Sequence, residues 1–266
     1  MKSLSHTRPL ASPFLAWITA ALVGLLAPAL AMLMLMDAPA PAPGPAPLAL
    51  ASGPILAIGL MGVGMITAAA AGRLWIGVFL ALLSGAGLIA FAQALGMPAL
   101  LHPLSTGLAF VIAAISFAAR GAQFARSASD KGWWIAVFVI AGEAAVVATA
   151  WADPGIWPDW LLALLPAQWA SVAIQTALTG TGTRAASSAL FALAGTAAAT
   201  LLVARLWPRR WPYLLMFTVW LGLSALVLHR PGPPMPRADL VSAALSPKCD
   251  QIQGRDCHNS TLRPRA

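Results

Sequence analysis

The sequence predicts an all-α fold, a polytopic bundle of transmembrane helices. Of the 266 residues, 59% are hydrophobic and only 9% are charged, whereas soluble domains carry about 25% charged residues. Apolar runs of about 20 residues recur along the chain, and a helix of that length crosses the hydrocarbon core of a bilayer. The polar side chains are too few to cover a globule of this size, so lipid must solvate most of its surface.

Proline, glycine and charged residues divide the region 11–229 into eight predicted spans. These cover residues 11–36, 48–71, 74–95, 103–119, 132–151, 161–179, 185–206 and 213–228. Residues 1–10 form a short N-terminus, and the polar, proline-rich tail 230–266 is predicted to be disordered. The first run resembles a signal peptide, but its length of about 26 apolar residues favours an uncleaved helix.

The sixth segment is the weakest prediction, because polar residues and Pro166 interrupt it. The alternative is a seven-span bundle in which residues 160–179 lie at the membrane interface. Eight spans with the N-terminus inside place 13 Lys and Arg residues on the inner side and 3 on the outer side, whereas seven spans give 9 and 7. The count favours eight spans with both termini cytoplasmic. The Ala-, Leu- and Arg-rich composition is typical of a bacterial inner-membrane protein.

Glu143 is the only glutamate of the chain, and it falls near the middle of the fifth predicted span. A charged side chain at that depth costs about 2.5–3.5 kcal/mol on insertion scales. The sequence places Arg120 in a loop after residue 119, and no Lys or Arg lies near the middle of a predicted span. A buried ion pair is therefore not expected, and a neutral Glu143 hydrogen-bonded to a polar neighbour is the simplest expectation.

The sixth predicted span offers such neighbours. Gln168, Ser171 and Gln175 recur at spacings of three and four, which places them on one helical face. A short loop joins this span to the fifth, so we expect Glu143 to face this stripe as a candidate intramembrane polar site. One interpretation is a proton- or cation-binding site in a transport pathway. The favoured alternative is a hydrogen bond that holds two helices together, worth about 0.6–2 kcal/mol.

The sequence excludes several classes of function. It has no nucleotide-binding GxxxxGK[ST] loop, no HExxH motif and no nucleophile elbow, so no catalytic residue, metal or cofactor is predicted. The net charge of +8 comes from scattered residues, which argues against a nucleic-acid partner. Cys249 and Cys257 would form a disulfide outside the cytoplasm and remain thiols inside it.

Three functional hypotheses follow. The favoured one is a structural, accessory or regulatory membrane subunit that acts through helix–helix contacts, with the bilayer and a membrane-protein partner or a second copy as its partners. The second is a small, proton-coupled carrier built around Glu143. The third, an interfacial lipid-modifying enzyme, would require Arg120, Arg126, Asp130 and a histidine to converge at one surface.

Overall fold

The computed structural model describes residues 11–36, 46–153, 155–179, 186–206 and 211–229, and every regular element among them is helical. The helices are α1 (Ala11–Ala21), α2 (Ala27–Met36), α3 (Pro47–Ala71), α4 (Leu74–Ala94), α5 (Pro103–Ala128), α6 (Gly132–Ala152), α7 (Asp159–Leu162), α8 (Pro166–Leu178), α9 (Ser187–Leu206) and α10 (Trp211–His229). The predicted N-terminus, the tail and its two cysteines lie outside the described residues.

A π-helical turn, Leu22–Leu26, joins α1 to α2 into one continuous helix. Pro28 explains this irregularity, because a proline has no N–H to donate to the carbonyl four residues earlier and its ring crowds that carbonyl. The carbonyl concerned belongs to Gly24, and it instead accepts a hydrogen bond from the Ser84 hydroxyl over 3.4 Å. Pro28 therefore frees a backbone acceptor that ties the first helix to α4.

Helix α3 is the centre of the bundle, and its residues 51–69 are buried with the exception of Ile58. Small residues let its neighbours approach closely. On one side Gly24 lies against Val63 and Pro28 lies near Gly59, so the first helix runs antiparallel to α3. The outer face of α4 carries the exposed side chains Trp75, Phe79 and Leu83, which recur every four residues and form a stripe suited to lipid.

Helices α5 and α6 form an antiparallel hairpin closed by the 3₁₀ turn Ser129–Lys131. Gly132 packs against the backbone of Phe124, which only a residue without a side chain permits at this distance. Helix α5 ends at Ala128, nine residues beyond the residue 119 expected from the sequence. Arg120 therefore lies within a helix, so its placement in a loop was wrong.

Helix α9 runs parallel to α5. The hydroxyls of Ser116 and Thr196 lie 3.5 Å apart, and further along both helices Arg126 Nη1 donates to the Ala204 carbonyl over 2.8 Å. Consecutive crossings alternate in direction, so an eight-span chain would have its fourth and seventh spans antiparallel. The eight-span count is not confirmed, and this parallel pair does not fit it.

Two faces of the bundle can be named from these directions. The turn face contains the α5–α6 turn and the C-terminal ends of α3 and α9. The opposite face contains the N-terminal ends of α3, α5 and α9. Helices α3 and α5 are parallel, because Met65 lies against Gly121 while Leu60 and Phe110 both lie against Gly85. Helix α10 returns antiparallel to α9, since Leu223 packs on Gly195.

The described residues 155–179, between α6 and α9, do not cross the bundle. Trp157 Nε1 donates to Thr149 Oγ1 over 2.8 Å, and the Ala167 N–H donates to Glu143 Oε2 over 2.8 Å. Residues 157–167 therefore descend beside α6 from the opposite face to mid-depth. Helix α8 then returns toward the beginning of α3, where Gln175 is bound to Gly53. With 13 residues, α8 is about 20 Å long, shorter than the hydrocarbon core.

Five stretches of the described residues are long and apolar enough to cross a membrane. They are Phe14–Met36, Pro47–Ala71, Leu74–Ala94, Pro103–Ala152 and Ser187–Leu206. The fourth is the 50-residue stretch that contains both helices of the α5–α6 hairpin. The structure thus supports a helical membrane protein.

Candidate functional site

Glu143 lies where the descending segment turns into α8. Its Oε2 accepts the backbone N–H of Ala167, the second residue of α8, over 2.8 Å. The first residue, Pro166, has no N–H that needs an acceptor, and the side chain of the N-cap residue Leu165 makes no capping hydrogen bond. The partial positive charge at a helix N-terminus favours a carboxylate there. Glu143 therefore supplies, from α6, the cap that the sequence of α8 lacks.

Arg120 is a basic neighbour of this carboxyl group across the α5–α6 hairpin, although the two side chains form no direct ion pair. Its Nη2 donates to Thr196 Oγ1 over 3.1 Å, and its Cζ lies 5.7 Å from the centre of the Phe117 ring. Its buried Nη1 has no hydrogen-bond partner among the described residues. The expectation that no basic residue lies within a span was wrong, because it depended on ending the fourth span before Arg120. The expectation of no buried ion pair at Glu143 is not contradicted, since no direct ion pair joins these two side chains.

The polar stripe of α8 is divided between two surroundings. Gln175 is buried against α3, where its Oε1 accepts the Gly53 N–H over 2.7 Å and its Nε2 donates to the Ala49 carbonyl over 2.9 Å. In a regular helix the Gly53 N–H would donate directly to the Ala49 carbonyl, four residues earlier. The Gln175 amide therefore bridges the α3 backbone immediately before Pro54, a proline inside the helix.

The other two members of the stripe are near the beginning of α8. Ser171 is fully buried, and its Oγ has no hydrogen-bond partner among the described residues. Gln168 is half-buried, one residue after the Ala167 N–H that Glu143 binds. The structure thus brings Glu143 to the N-terminus of α8 and takes Gln175 to α3. Whether this polar site binds a proton or a cation stays a prediction.

A cleft of about 360 Å³ lies between α5, α9 and α10, beginning at Arg120. It is lined by Arg120, Gln123, Phe124, Ser127, Thr196, Thr200, Met216 and Trp220. Each helix contributes residues three or four positions apart, so each presents one face to the cleft. Ser127 is the penultimate residue of α5, and the cleft therefore extends from Arg120 toward the turn face.

Sequence reasoning missed the cleft because its residues come from three helices. One local signal was present: Arg120, Gln123 and Ser127 are spaced to fall on one helical face, as they do if the helix continues past Arg120. Its partners Thr196 and Thr200 resemble the hydroxyls found in many apolar helices, so nothing local distinguished them.

The remaining polar groups do not gather into a second site. Within the described ranges, no three His, Cys, Asp or Glu side chains are grouped as metal ligands would be. Arg126 is bound to the Ala204 carbonyl, while His102 precedes the first residue of α5, at the end of that helix far from Asp130. The convergence that the interfacial-enzyme hypothesis requires is not found among these residues.

Comparison with known proteins gives no relative: no family model, no curated protein and no solved structure matches the chain.

Proposed function

We propose that this chain is a small carrier of the bacterial inner membrane, with its transport site at Arg120 and Glu143. The observation that carries the proposal is the break in the backbone at mid-depth, where α8 begins against Glu143. Irregular backbone inside a bilayer is tolerated where protein or a water-filled cavity surrounds it, and half-helix termini at the midplane are typical of transporter binding sites. An ionisable pair at this depth is also typical of a transport pathway.

Seven crossings and one re-entrant segment describe the proposed topology. The crossings are α1 with α2, then α3, α4, α5, α6, α9 and α10, and residues 153–179 enter and leave at the opposite face. This proposal differs from the seven-span alternative of the sequence analysis, in which residues 160–179 lay at the interface. If α8 is a short helix inside the bundle, capped at its N-terminus by Glu143, its apolar composition and its insufficient length for crossing the bilayer are both explained.

The positions of basic residues support a cytoplasmic turn face. The connections between helices at the turn face contain Arg73, Lys131, Arg209 and Arg210, whereas those at the opposite face contain Arg184. The tail adds six basic residues to the opposite face, so the full count is the 9 to 7 given above for seven spans. Short cytoplasmic loops are enriched in Lys and Arg. The N-terminus is then cytoplasmic and the C-terminal tail is on the outer side, which replaces the expectation that both termini are cytoplasmic.

A second candidate function is an accessory subunit, which the sequence alone favoured. The observation behind it is that Glu143 and Gln175 both bind the backbone of neighbouring helices, so each has a structural use. Purification in a mild detergent, with mass determination, separates the two candidates. A stoichiometric membrane-protein partner supports the accessory subunit, and a chain that purifies alone or as a homo-oligomer supports the carrier.

Water access to the cleft provides the direct test of the carrier. In a background with Cys249 and Cys257 changed to serine, Thr200→Cys places a thiol on the cleft and Leu202→Cys places one on the lipid-facing side of the same helix. We expect a charged, membrane-impermeant thiol reagent to modify Thr200→Cys from the cytoplasmic side and to leave Leu202→Cys unmodified. If the reagent labels neither variant in the native membrane, the carrier proposal is contradicted.

A further inference from the structure

We propose that the cleft at Arg120 binds an amphiphilic anion, with one oxyanion group on the Arg120 guanidinium and an apolar body against Met216 and Trp220. This inference deepens the proposed function by naming the class of substrate. The cleft lining contains one cationic side chain and no carboxyl group. Glu143, which faces Arg120 from α6, is not part of the lining, so the cleft itself presents a positive charge and its ligand is expected to carry a negative one.

Arg120 has donor capacity left over for such a ligand. One N–H group of the guanidinium is engaged by Thr196, and the group at Nη1 has no partner among the described residues. A buried donor without a partner is destabilising. Nη1 is closed off from the cleft in this structure, so a rotation of the guanidinium toward the cleft would let an oxyanion satisfy it through a charge-assisted hydrogen bond. The planar guanidinium fork suits carboxylate, sulfonate and phosphate oxygens.

The hydroxyl groups of the cleft limit the ligand to a single anionic group. Thr196 Oγ1 donates to the Ala192 carbonyl over 2.9 Å, and Thr200 Oγ1 donates to the Thr196 carbonyl over 2.7 Å. Ser127 Oγ likewise donates to the Gln123 carbonyl over 3.0 Å. These hydroxyl protons are used within the helices, so the remaining side-chain donors of the lining are the Arg120 guanidinium and the neutral amide and indole groups of Gln123 and Trp220. Only Arg120 among them carries a charge, so a second anionic group would lack charge compensation.

The rest of the cleft suits an apolar body. Met216 and Trp220 lie one turn apart on α10, and Phe124 faces them from α5. From Arg120 to Ser127 the cleft extends about 10 Å along α5, and its volume of about 360 Å³ falls within the range of small-molecule sites. The cleft extends to the turn face, so the ligand is either a soluble organic anion or the headgroup of an anionic lipid.

Equilibrium dialysis of radiolabelled benzenesulfonate against the full chain in phosphatidylcholine nanodiscs tests the proposal. The matched neutral probe is benzenesulfonamide, which has nearly the same shape. We expect saturable binding of the sulfonate and none of the sulfonamide. Arg120→Gln is expected to weaken binding by at least about tenfold, through the loss of one charge-assisted hydrogen bond. Arg126→Gln, a change on the same helix outside the cleft lining, is the matched control and should bind as the unmodified chain does.

A second variant keeps the test meaningful if Arg120→Gln does not fold. Met216→Trp fills the cleft and leaves Arg120 and Glu143 untouched, and we expect it to abolish binding with little change in the unfolding temperature. Equal binding by this variant and the unmodified chain would overturn the proposal, as would equal binding of both probes or no binding of the sulfonate.

Two further arms separate the ligand sources and the two proposals. Loss of benzenesulfonate binding in phosphatidylglycerol nanodiscs supports a lipid headgroup as the natural ligand, and unchanged binding supports a soluble anion. Sulfonate binding without uptake into proteoliposomes upholds the anion site and contradicts the carrier. Uptake that is unaffected by Met216→Trp upholds the carrier and contradicts this site.

Discussion

The carboxyl oxygen Oε2 of Glu143 accepts the backbone N–H of Ala167 over 2.8 Å, so a side chain of α6 caps a helix that begins inside the bundle. This bond explains how α8 can start at mid-depth. In lipid an unsatisfied backbone N–H costs several kcal/mol, because no water is present to replace the missing acceptor. The re-entrant segment therefore depends on a residue outside it.

Substitutions of Glu143 should separate its capping role from its charge. Glu143→Gln keeps an oxygen acceptor for the Ala167 N–H, whereas Glu143→Ala removes it. We expect Glu143→Ala to be less stable than Glu143→Gln by about 1–3 kcal/mol, the cost of a buried donor without a partner. Thermal unfolding of both variants in mild detergent measures the difference, and identical unfolding temperatures would show that the bond contributes nothing.

The electrostatic interaction between Arg120 and Glu143 can be measured with a double-mutant cycle. Each single change to glutamine leaves the other charge without compensation inside the bundle, and the double variant removes both charges. We expect the double variant to be more stable than the sum of the single effects predicts, by about 0.5–3 kcal/mol. The control cycle pairs Glu143→Gln with Arg126→Gln and should be additive. An additive Arg120–Glu143 cycle would contradict the interaction.

Gly53 is required for the bridge between α8 and α3. A Cβ atom there would lie 2.7 Å from both Cβ and Oε1 of Gln175 and 2.8 Å from the Ser171 carbonyl. We expect Gly53→Ala to destabilise the protein by about 1–3 kcal/mol, the cost typical of overpacking. Gly87→Ala is the control, because nothing lies within 4 Å of its Cβ position, and it should be neutral or mildly stabilising. Equal unfolding temperatures for the two variants would exclude the close contact.

The proposed orientation predicts the accessibility of the native cysteines, which both lie in the C-terminal tail. In intact spheroplasts we expect a membrane-impermeant maleimide to label Cys249 and Cys257, after reduction if they have formed a disulfide. Ser129→Cys, in a background with both tail cysteines changed to serine, marks the turn face and should be labelled only after the membrane is opened. The reverse pattern would place the turn face outside, and protection of both sites would favour two cytoplasmic ends.

The sequence was a good guide to the class of fold and to which residues are unusual. Composition and apolar runs predicted helices of roughly the observed positions, and the cost of burying Glu143 marked it correctly as a residue that needs a partner. Helical spacing also identified Gln168, Ser171 and Gln175 as one face. The helical fold class is confirmed because it depends on local pattern and on transfer free energy. The expected contact between Glu143 and the side chains of that face stays a prediction, since the donor found for Glu143 is the Ala167 backbone N–H.

The partners were not predictable, because they depend on the packing of distant segments. Arg120 looked like the start of a cytoplasmic loop, since charged residues usually end apolar spans. In the structure α5 continues past it to Ala128. Gln175 binds the backbone of α3, more than 120 residues away, where Gly53 precedes a proline. A charge count gave eight spans because it treated every long apolar run as a crossing.

The shortness of α8 also determines the order in which the protein is assembled. A helix of 13 residues that follows an approach with only one helical turn cannot partition into the bilayer by itself, because backbone groups of that approach would face lipid without partners. The acceptors and donors it needs are on α6 and α3, which are synthesised earlier, while α9 follows it. With the proposed topology, membrane integration is therefore expected to be a two-stage process, in which independently inserted helices first form the bundle and residues 155–179 then fold into it from the aqueous side.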